Sequence, residues 1–131
     1  MYDAIIAGGS ISGLLTAREI AKKGNSVLVL EEGFEVGSPE HCGGLVSKSA
    51  LDDLGINPSV KSFDNKINSA KIFSPNGKNF TIDSKSQEII VVNRRELDKQ
   101  AARQAKDNGA EIIVKASFKN KTPNGVETSI G

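Results

Sequence analysis

The fold is decided by residues 3–31, DAIIAGGSISGLLTAREIAKKGNSVLVLE. A short apolar run at residues 3–7 stops at residues 8–10 (GGS), and residues 11–23 then carry apolar side chains at helical spacing. Residues 26–30 (SVLVL) form an uninterrupted apolar run of the kind found in strands buried on both faces of a parallel sheet. Strand, helix and strand in this order predict a βαβ unit, so the predicted fold class is α/β.

The turn between the first strand and the helix contains Gly8, Gly9, Ser10 and Gly13. A glycine turn at a helix N-terminus lets a pyrophosphate approach free backbone N–H groups, which the helix dipole makes favourable for anions. Ser10 stands where the dinucleotide-binding pattern G-x-G-x-x-G has its middle glycine. The alternative interpretation is that these glycines only permit a tight turn and close helix packing.

An acidic residue, Glu31, ends the second strand at the distance where a carboxylate meets a ribose hydroxyl. Glu32 takes that role if the strand ends one residue later. An acid here suits a free 2′-hydroxyl and disfavours a 2′-phosphate, which predicts FAD or NAD rather than NADP. The alternative is a solvated strand end.

The rest of the chain predicts an insertion followed by a return to the sheet. The predicted elements are a loop at 34–44, a short helix near 45–54, a hairpin over 69–83, a strand at 88–92, a helix at 94–108 and strands at 111–116 and around 124–125. The whole indicates a Rossmann-like domain with a parallel sheet and an inserted β-hairpin and β-ribbon. We expect residues 1–131 to be the amino-terminal part of an FAD/NAD(P)-binding domain, an incomplete fragment of a larger protein.

Charge and composition exclude several classes of function. Lys and Arg total 17 against 16 Asp and Glu, and no block of like charge stands out, so nucleic-acid binding is not expected. The single cysteine, Cys42, cannot form an internal disulfide, which fits a cytoplasmic protein. The single histidine, His41, is too few for a multi-histidine site, so no metal is expected. No apolar run is long enough to span a bilayer.

Three blocks of the sequence resemble the beginning of the geranylgeranyl reductases, FAD-dependent enzymes related to the aromatic hydroxylases. The blocks are YDAIIAGGSISGLLTAREIAKKGNSVLVLEE at 2–32, GSPEHCGGLVSKSAL at 37–51 and VVNRRELDKQAARQAKDNGAEI at 91–112. The resemblance implies a hydroxylase-type FAD domain. It also implies an oxidoreductase in which reduced flavin delivers a hydride to carbon–carbon double bonds of prenyl chains in isoprenoid lipid biosynthesis.

Carried over by position, the resemblance places residues on both ends of FAD. Gly8, Ser10 and Gly13 would approach the pyrophosphate, Glu31 would hold the adenosine ribose, and Phe118 would make a backbone contact near the adenine. Ser10, Ile11 and Ser12 depart from the glycine and small residues that the family has in this turn. The family's later blocks, which bind the flavin end and the substrate, are absent, so this segment alone is expected to be inactive.

On the flavin side, the resemblance places Cys42 and Gly43 beside the ring. A thiol there could act as the catalytic proton donor to the carbon opposite hydride delivery, or it could simply shape the pocket. The alternative for Cys42 is a small buried hydrophobe in a loop. Arg94 matches the arginine of the family's R-x-x-F-D pattern, with Leu97 and Asp98 completing it, and would contact the cofactor. Without the resemblance, Arg94 and Arg95 are equally well explained as a solvated pair.

The implied partners are a prenyl lipid substrate and an external electron donor, NAD(P)H or ferredoxin. A lipid substrate leaves peripheral contact with the inner membrane surface open. Two other interpretations remain: another flavoprotein, such as an aromatic hydroxylase or an electron-transfer dehydrogenase, and a non-catalytic dinucleotide-binding fragment.

Overall fold

The strand-helix-strand stretch forms β1 (Ala4–Ala7), α1 (Ile11–Lys22) and β2 (Val27–Leu30). The structure is a computed structural model that describes residues 1–40, 42–83 and 88–131. The chain divides into two units, the first comprising residues 1–40 and 95–131, and the second residues 41–94.

The first unit is built on a parallel sheet of strand order β1-β2-β8, in which β8 is Glu111–Ile113. Ala7 of β1 and Ile113 of β8 both pair with Leu30, so the three strands end at the same edge of the sheet. All four residues of the central strand β2 are buried. The predicted α/β class, the parallel sheet and the doubly buried strand are confirmed.

Both faces of this sheet are covered. On one face, α1 and α3 (Arg94–Asp107) pack against β2, and the buried cluster consists of Ala17, Ala21, Val27, Val29, Ala105 and Ala110. On the other face, a ribbon of β9 (Phe118–Thr122) and β10 (Gly125–Thr128) lies against β2, with Leu28, Leu30, Ala116 and Val126 in contact. Alanines on the helices allow close approach to the sheet, which fixes the helix ends relative to the strand ends.

The second unit contains short strands and one short helix. Its elements are β3 (Leu45–Ser47), α2 (Lys48–Asp53), β4 (Phe63–Ile67), β5 (Ser69–Phe73), β6 (Asn79–Asp83) and β7 (Ile89–Val92). β7 is the centre of an antiparallel sheet of order β3-β7-β4, whereas β5 and β6 form the predicted hairpin. Its buried apolar side chains are Leu51, Ile56, Ile90 and Val92.

Two predictions in the second unit are wrong in detail. The helix expected near residues 45–54 begins only at Lys48, because Leu45, Val46 and Ser47 pair with β7 instead. The strand β4 was not predicted, because four of its five residues are exposed and its sequence FDNKI has no apolar alternation. Both strands exist through pairing with a distant segment, which a local pattern does not report.

Among the described residues, no helix has both the length and the apolar character needed to cross a membrane.

Candidate functional site

An open pocket of about 270 Å³ lies at the carboxyl ends of β1 and β2 in the first unit. It is lined by Ala7, Gly8, Leu30, Glu31, Glu32, Ala116, Ser117 and Phe118. In open parallel sheets, ligands bind in the crevice outside the carboxyl ends of the strands. The structure therefore brings four of the predicted site residues, Gly8, Glu31, Glu32 and Phe118, to one place where such a ligand would bind.

Glu31 is the best-held side chain of this pocket. Its Oε2 accepts a hydrogen bond of 2.7 Å from the backbone N–H of Gly9, and its Oε1 accepts one of 2.7 Å from the N–H of Gly33. A Cβ at Gly9 would lie only 2.8 Å from Oε2, so a side chain at this position would displace the Glu31 carboxylate. The carboxylate is thus fixed between the turn after β1 and the loop after β2.

Glu32 has no equivalent anchoring. It lines the same pocket, but its side chain is exposed, and within residues 1–40, 42–83 and 88–131 no hydrogen bond to it is found. The structure therefore distinguishes the two neighbouring acids that the sequence left as alternatives. Glu31 is the oriented one.

The glycine turn brings the start of α1 against β1. A Cβ at Gly13 would overlap the carbonyl oxygen of Gly8, so the helix could not approach the turn with any side chain at that position. Gly8 itself has φ +108°, which side chains rarely adopt. Close packing and a tight turn are therefore real requirements here, and they produce the geometry that pyrophosphate binding needs.

The first turn of α1 carries no negative charge of its own. Ser10 is the N-cap residue but makes no side-chain capping bond, and the first turn of the helix contains no acidic residue. The hydroxyls of Ser10 and Ser12 lie 3.4 Å apart at this exposed end. Free helix N–H groups and the positive end of the dipole make this location favourable for a phosphate.

Cys42, Gly43 and Arg94 belong to the second unit. Cys42 and Gly43 are exposed and precede β3, and Arg94 is the half-buried first residue of α3. The expected burial of Cys42 as a structural residue is not seen in this chain, where Cys42 is exposed. That these residues contact the cofactor stays a prediction. His41 lies outside the described residues.

Sequence reasoning missed Ala116 and Ser117, which line the pocket from the segment after β8. Ala116 donates its backbone N–H to the carbonyl of Glu31 at 2.9 Å, and Lys115 donates to the carbonyl of Gly33 at 2.8 Å. These bonds continue the pairing of β2 with β8 beyond the strand ends. The predicted strand at 111–116 was the available signal, because parallel strands bring their carboxyl ends together.

The residues in and around this pocket have the features that bind a dinucleotide. It combines an oriented carboxylate for a diol, a glycine turn in which a Cβ at Gly13 would overlap backbone, and a helix N-terminus without a side-chain cap for phosphate. No group of three or more metal-ligating side chains is found within the part of the chain that the structure describes.

Comparison with known proteins connects this arrangement to named reductases. No protein-family model matches the sequence. The chain is 31% identical over 112 residues to digeranylgeranylglycerophospholipid reductase 2 of Methanothermobacter thermautotrophicus, and 34% identical over 119 residues to the corresponding reductase of Thermoplasma volcanium. The matches cover 86% and 88% of this chain, but only 29% and 30% of the relatives.

Solved structures give the same relationship. A geranylgeranyl bacteriochlorophyll reductase-like protein from Thermoplasma acidophilum superposes with a TM-score of 0.85 at 29% identity, over 97% of this chain and 34% of that protein. The myxobacterial chondrochloren halogenase, an FAD-dependent enzyme by name, superposes with a TM-score of 0.78 at 16% identity, over 97% and 32% of the two chains. The halogenase shares the fold alone.

The predicted resemblance to geranylgeranyl reductases is confirmed, and the fold is that of FAD-dependent enzymes. The chain spans about 30% of the length of the curated relatives it matches.

Proposed function

We propose that this chain forms the dinucleotide-binding part of an FAD-dependent reductase that acts on prenyl chains of isoprenoid lipids. The observation that carries the proposal is Glu31, held by the amides of Gly9 and Gly33 at the edge of a pocket next to the glycine turn. Relatives named digeranylgeranylglycerophospholipid reductases support the substrate class.

The glycine turn, Glu31 and Phe118 each have a role in this proposal. The helix N-terminus behind Gly8, Gly9 and Ser10 would hold the FAD pyrophosphate, with Gly13 permitting the close approach. Glu31 would accept hydrogen bonds from the adenosine ribose. The segment around Phe118 would lie at the adenine end, where a backbone contact tolerates different side chains.

Bound reduced flavin would supply the hydride that saturates a prenyl double bond. We assign Cys42 as the donor of the proton that the second alkene carbon requires, Gly43 as a position that admits the ring, and Arg94 as a cofactor contact. The exposed position of Cys42 supports the assignment, because a proton donor must reach the substrate.

The proposal also includes an external electron donor, NAD(P)H or ferredoxin, because hydride transfer leaves the flavin oxidised after each bond. We place the protein in the cytoplasm with peripheral contact at the inner membrane surface, where a lipid substrate is reached.

The first experiment measures flavin binding by the purified full-length protein that contains this chain. We expect a yellow preparation, or uptake of added FAD with a dissociation constant well below those of NAD and NADP. A colourless protein that fails to take up FAD would overturn the proposal.

The second experiment separates the role of Cys42 from cofactor binding. In the full-length protein that contains this chain, Cys42→Ala and Cys42→Ser should retain FAD and leave flavin reduction by the electron donor unchanged. They should slow prenyl-chain reduction by about 100-fold, the lower range for a lost general acid. Turnover of prenyl substrate at the native rate would remove Cys42 from the mechanism. Oxygen-dependent hydroxylation of an aromatic substrate would instead favour the hydroxylase alternative.

A further inference from the structure

A second concave surface lies in the first unit, away from the pocket residues described above. We call it the Phe34 groove, and define it by Phe34, Lys99, Ala102, Arg103, Lys106 and Val114. Its volume is about 370 Å³, and Glu35, Val36 and Ile112 complete the lining. None of these residues has a role in the proposed cofactor site.

The apolar part of the Phe34 groove includes two exposed side chains. Phe34 keeps 63% of its surface accessible and Val114 keeps 37%, while Ala102 and Val36 are buried beneath them. Phe34 follows the loop that carries Glu31, and Val114 follows β8, so the backbone of both is tied to the parallel sheet.

The polar part of the Phe34 groove is basic. Lys99, Arg103 and Lys106 are spaced four and three residues apart on α3, so they lie along one side of that helix. Lys99 pairs with Glu35 at 2.9 Å, and Arg95 pairs with the same carboxylate. For Arg103 and Lys106, no acidic partner occurs within residues 1–40, 42–83 and 88–131.

The one acid of the groove does not cancel this positive charge. The hydrogen bond from Lys99, together with the positive charges of Arg95 and Lys99, lowers the pKa of Glu35, so its negative charge is already matched by two cations. Arg103 and Lys106 therefore remain to attract an anion from outside the chain.

We propose that the Phe34 groove is the surface by which this protein rests on an anionic lipid bilayer, with Phe34 in the interface and Arg103 and Lys106 on lipid phosphates. The inference deepens the proposed function and rests on it for the choice of a lipid partner. Charge complementarity and an exposed aromatic beside cations are the combination that peripheral membrane surfaces use.

A protein partner fits the groove less well. A stable protein interface takes about 800 Å² from each side with matched shape. The Phe34 groove offers two exposed apolar side chains and a row of flexible cations, which suits a fluid surface that needs no shape match. Attraction of this kind is also sensitive to salt.

Vesicle cosedimentation with the purified protein tests the inference. The probes are vesicles of phosphatidylcholine alone and vesicles in which phosphatidylglycerol replaces part of it. We expect binding to the anionic vesicles only, weakened by added salt. Arg103→Glu with Lys106→Glu should weaken it at least about 25-fold, taking about fivefold for each basic residue near an anionic surface. Phe34→Ser should weaken it without changing the salt dependence.

The matched control is Lys71→Glu with Lys78→Glu on the β5–β6 hairpin, which also carries exposed apolar side chains. It makes the same change in net charge at another surface and should leave vesicle binding close to native. Equal loss in both double variants would mean that binding follows net charge alone, and would overturn the assignment.

Absence of vesicle binding by the native protein would also overturn the inference, as would binding to a soluble acidic protein that is lost in the groove variants. FAD content and thermal stability are measured in the same preparations. If the native protein contains FAD but does not bind vesicles, only the assignment of the Phe34 groove as a membrane surface is rejected. If the native protein contains no FAD, the proposed function is rejected.

Discussion

Gly13 in the first unit and Gly44 in the second unit share one property: a Cβ at either position would overlap a backbone carbonyl oxygen. At Gly13 the oxygen belongs to Gly8, and at Gly44 it belongs to Val92. The two differ in backbone conformation, since only Gly44 has a positive φ, +73°. Gly13 is needed for space, whereas Gly44 is needed for space and for its left-handed conformation.

The comparison teaches that a glycine's place in a motif and its structural necessity are separate matters. Gly13 belongs to a pattern that predicts phosphate binding, and its packing creates the helix start at which phosphate would bind. Gly44 lies beside the Cys42 loop, yet its carbonyl accepts the N–H of Val92 at 2.9 Å and so extends the β3–β7 pairing. Its neighbour Gly43 has open space around it and no positive φ.

Gly44→Ala is expected to give the largest loss of stability. Overpacking against backbone and a left-handed residue together should cost about 4 kcal/mol, from about 1–3 kcal/mol for the first and about 1–2 kcal/mol for the second. Chemical denaturation measures the change in the free energy of unfolding. Gly43→Ala, the adjacent control, should stay within about 0.5 kcal/mol of native. Equal effects at the two positions would erase the distinction drawn between them.

Gly13→Ala is expected to be the next largest, and to act on ligand binding as well as on stability. Overlap with the Gly8 carbonyl oxygen should cost about 3 kcal/mol, because the start of α1 must move away from β1. FAD retention after gel filtration should fall with it. Ser12→Ala, in the same turn of the helix, provides the control and should retain FAD. Normal retention in Gly13→Ala would mean that the glycine serves packing only.

Glu31→Gln tests whether the pocket depends on the oriented carboxylate. A glutamine presents one acceptor oxygen where Glu31 presents two, so one of the amides of Gly9 and Gly33 loses its partner, at about 1–2 kcal/mol. FAD affinity, measured by flavin fluorescence, should fall about tenfold, which corresponds to about 1.4 kcal/mol. Glu32→Gln lines the same pocket and should bind FAD nearly as the native protein does. A larger loss of FAD affinity in Glu32→Gln than in Glu31→Gln would mean that Glu32 contacts the ribose.

The smallest effect on stability is expected from the protonation of Glu35 at low pH. Because Lys99 and Arg95 lower its pKa in the folded protein, the ionised form stabilises the fold above the unfolded pKa of about 4.3. That contribution is lost as the pH falls through the lower folded pKa. The melting temperature of Glu35→Gln should therefore lie slightly below native at pH 7 and converge with it on acidification. The control is Glu127→Gln, at an exposed position on β10, and its melting temperature should match the native value at every pH. A difference in melting temperature between Glu35→Gln and native that stays constant with pH would contradict the linkage.

The parts of the fold that sequence predicted are those with strong local periodicity. The helical spacing in α1 and α3 and the apolar run of β2 each report burial directly, so these elements were found. β4 failed because its residues are mostly exposed, and β3 failed because LVSKSALDDL has an apolar spacing that also suits a helix. Long-range pairing with β7 decides both.

In the candidate site, too, the residues predicted from sequence are those whose positions follow from a local pattern. Gly8, Gly13 and Glu31 follow from the spacing of strand, turn and helix, which are close in sequence. Ala116 and Ser117 require knowledge that β2 pairs with β8, about 80 residues later. The hydrogen bonds that Gly9 and Gly33 donate to Glu31 are also beyond any sequence pattern, since they depend on side-chain rotamer.

Those two hydrogen bonds have a consequence for the thermodynamics of binding. An ionised carboxylate offers about four lone-pair positions, and the two backbone amides use one on each oxygen. The remaining lone-pair positions can accept hydrogen bonds from a ligand with two adjacent hydroxyls. The rotamers of Glu31 are restricted before that ligand binds. Immobilising a flexible side chain otherwise costs about 0.5–1.5 kcal/mol on association. Glu31 already loses this side-chain entropy when the chain folds. A diol that binds Glu31 therefore forms its hydrogen bonds without the further cost of ordering this side chain.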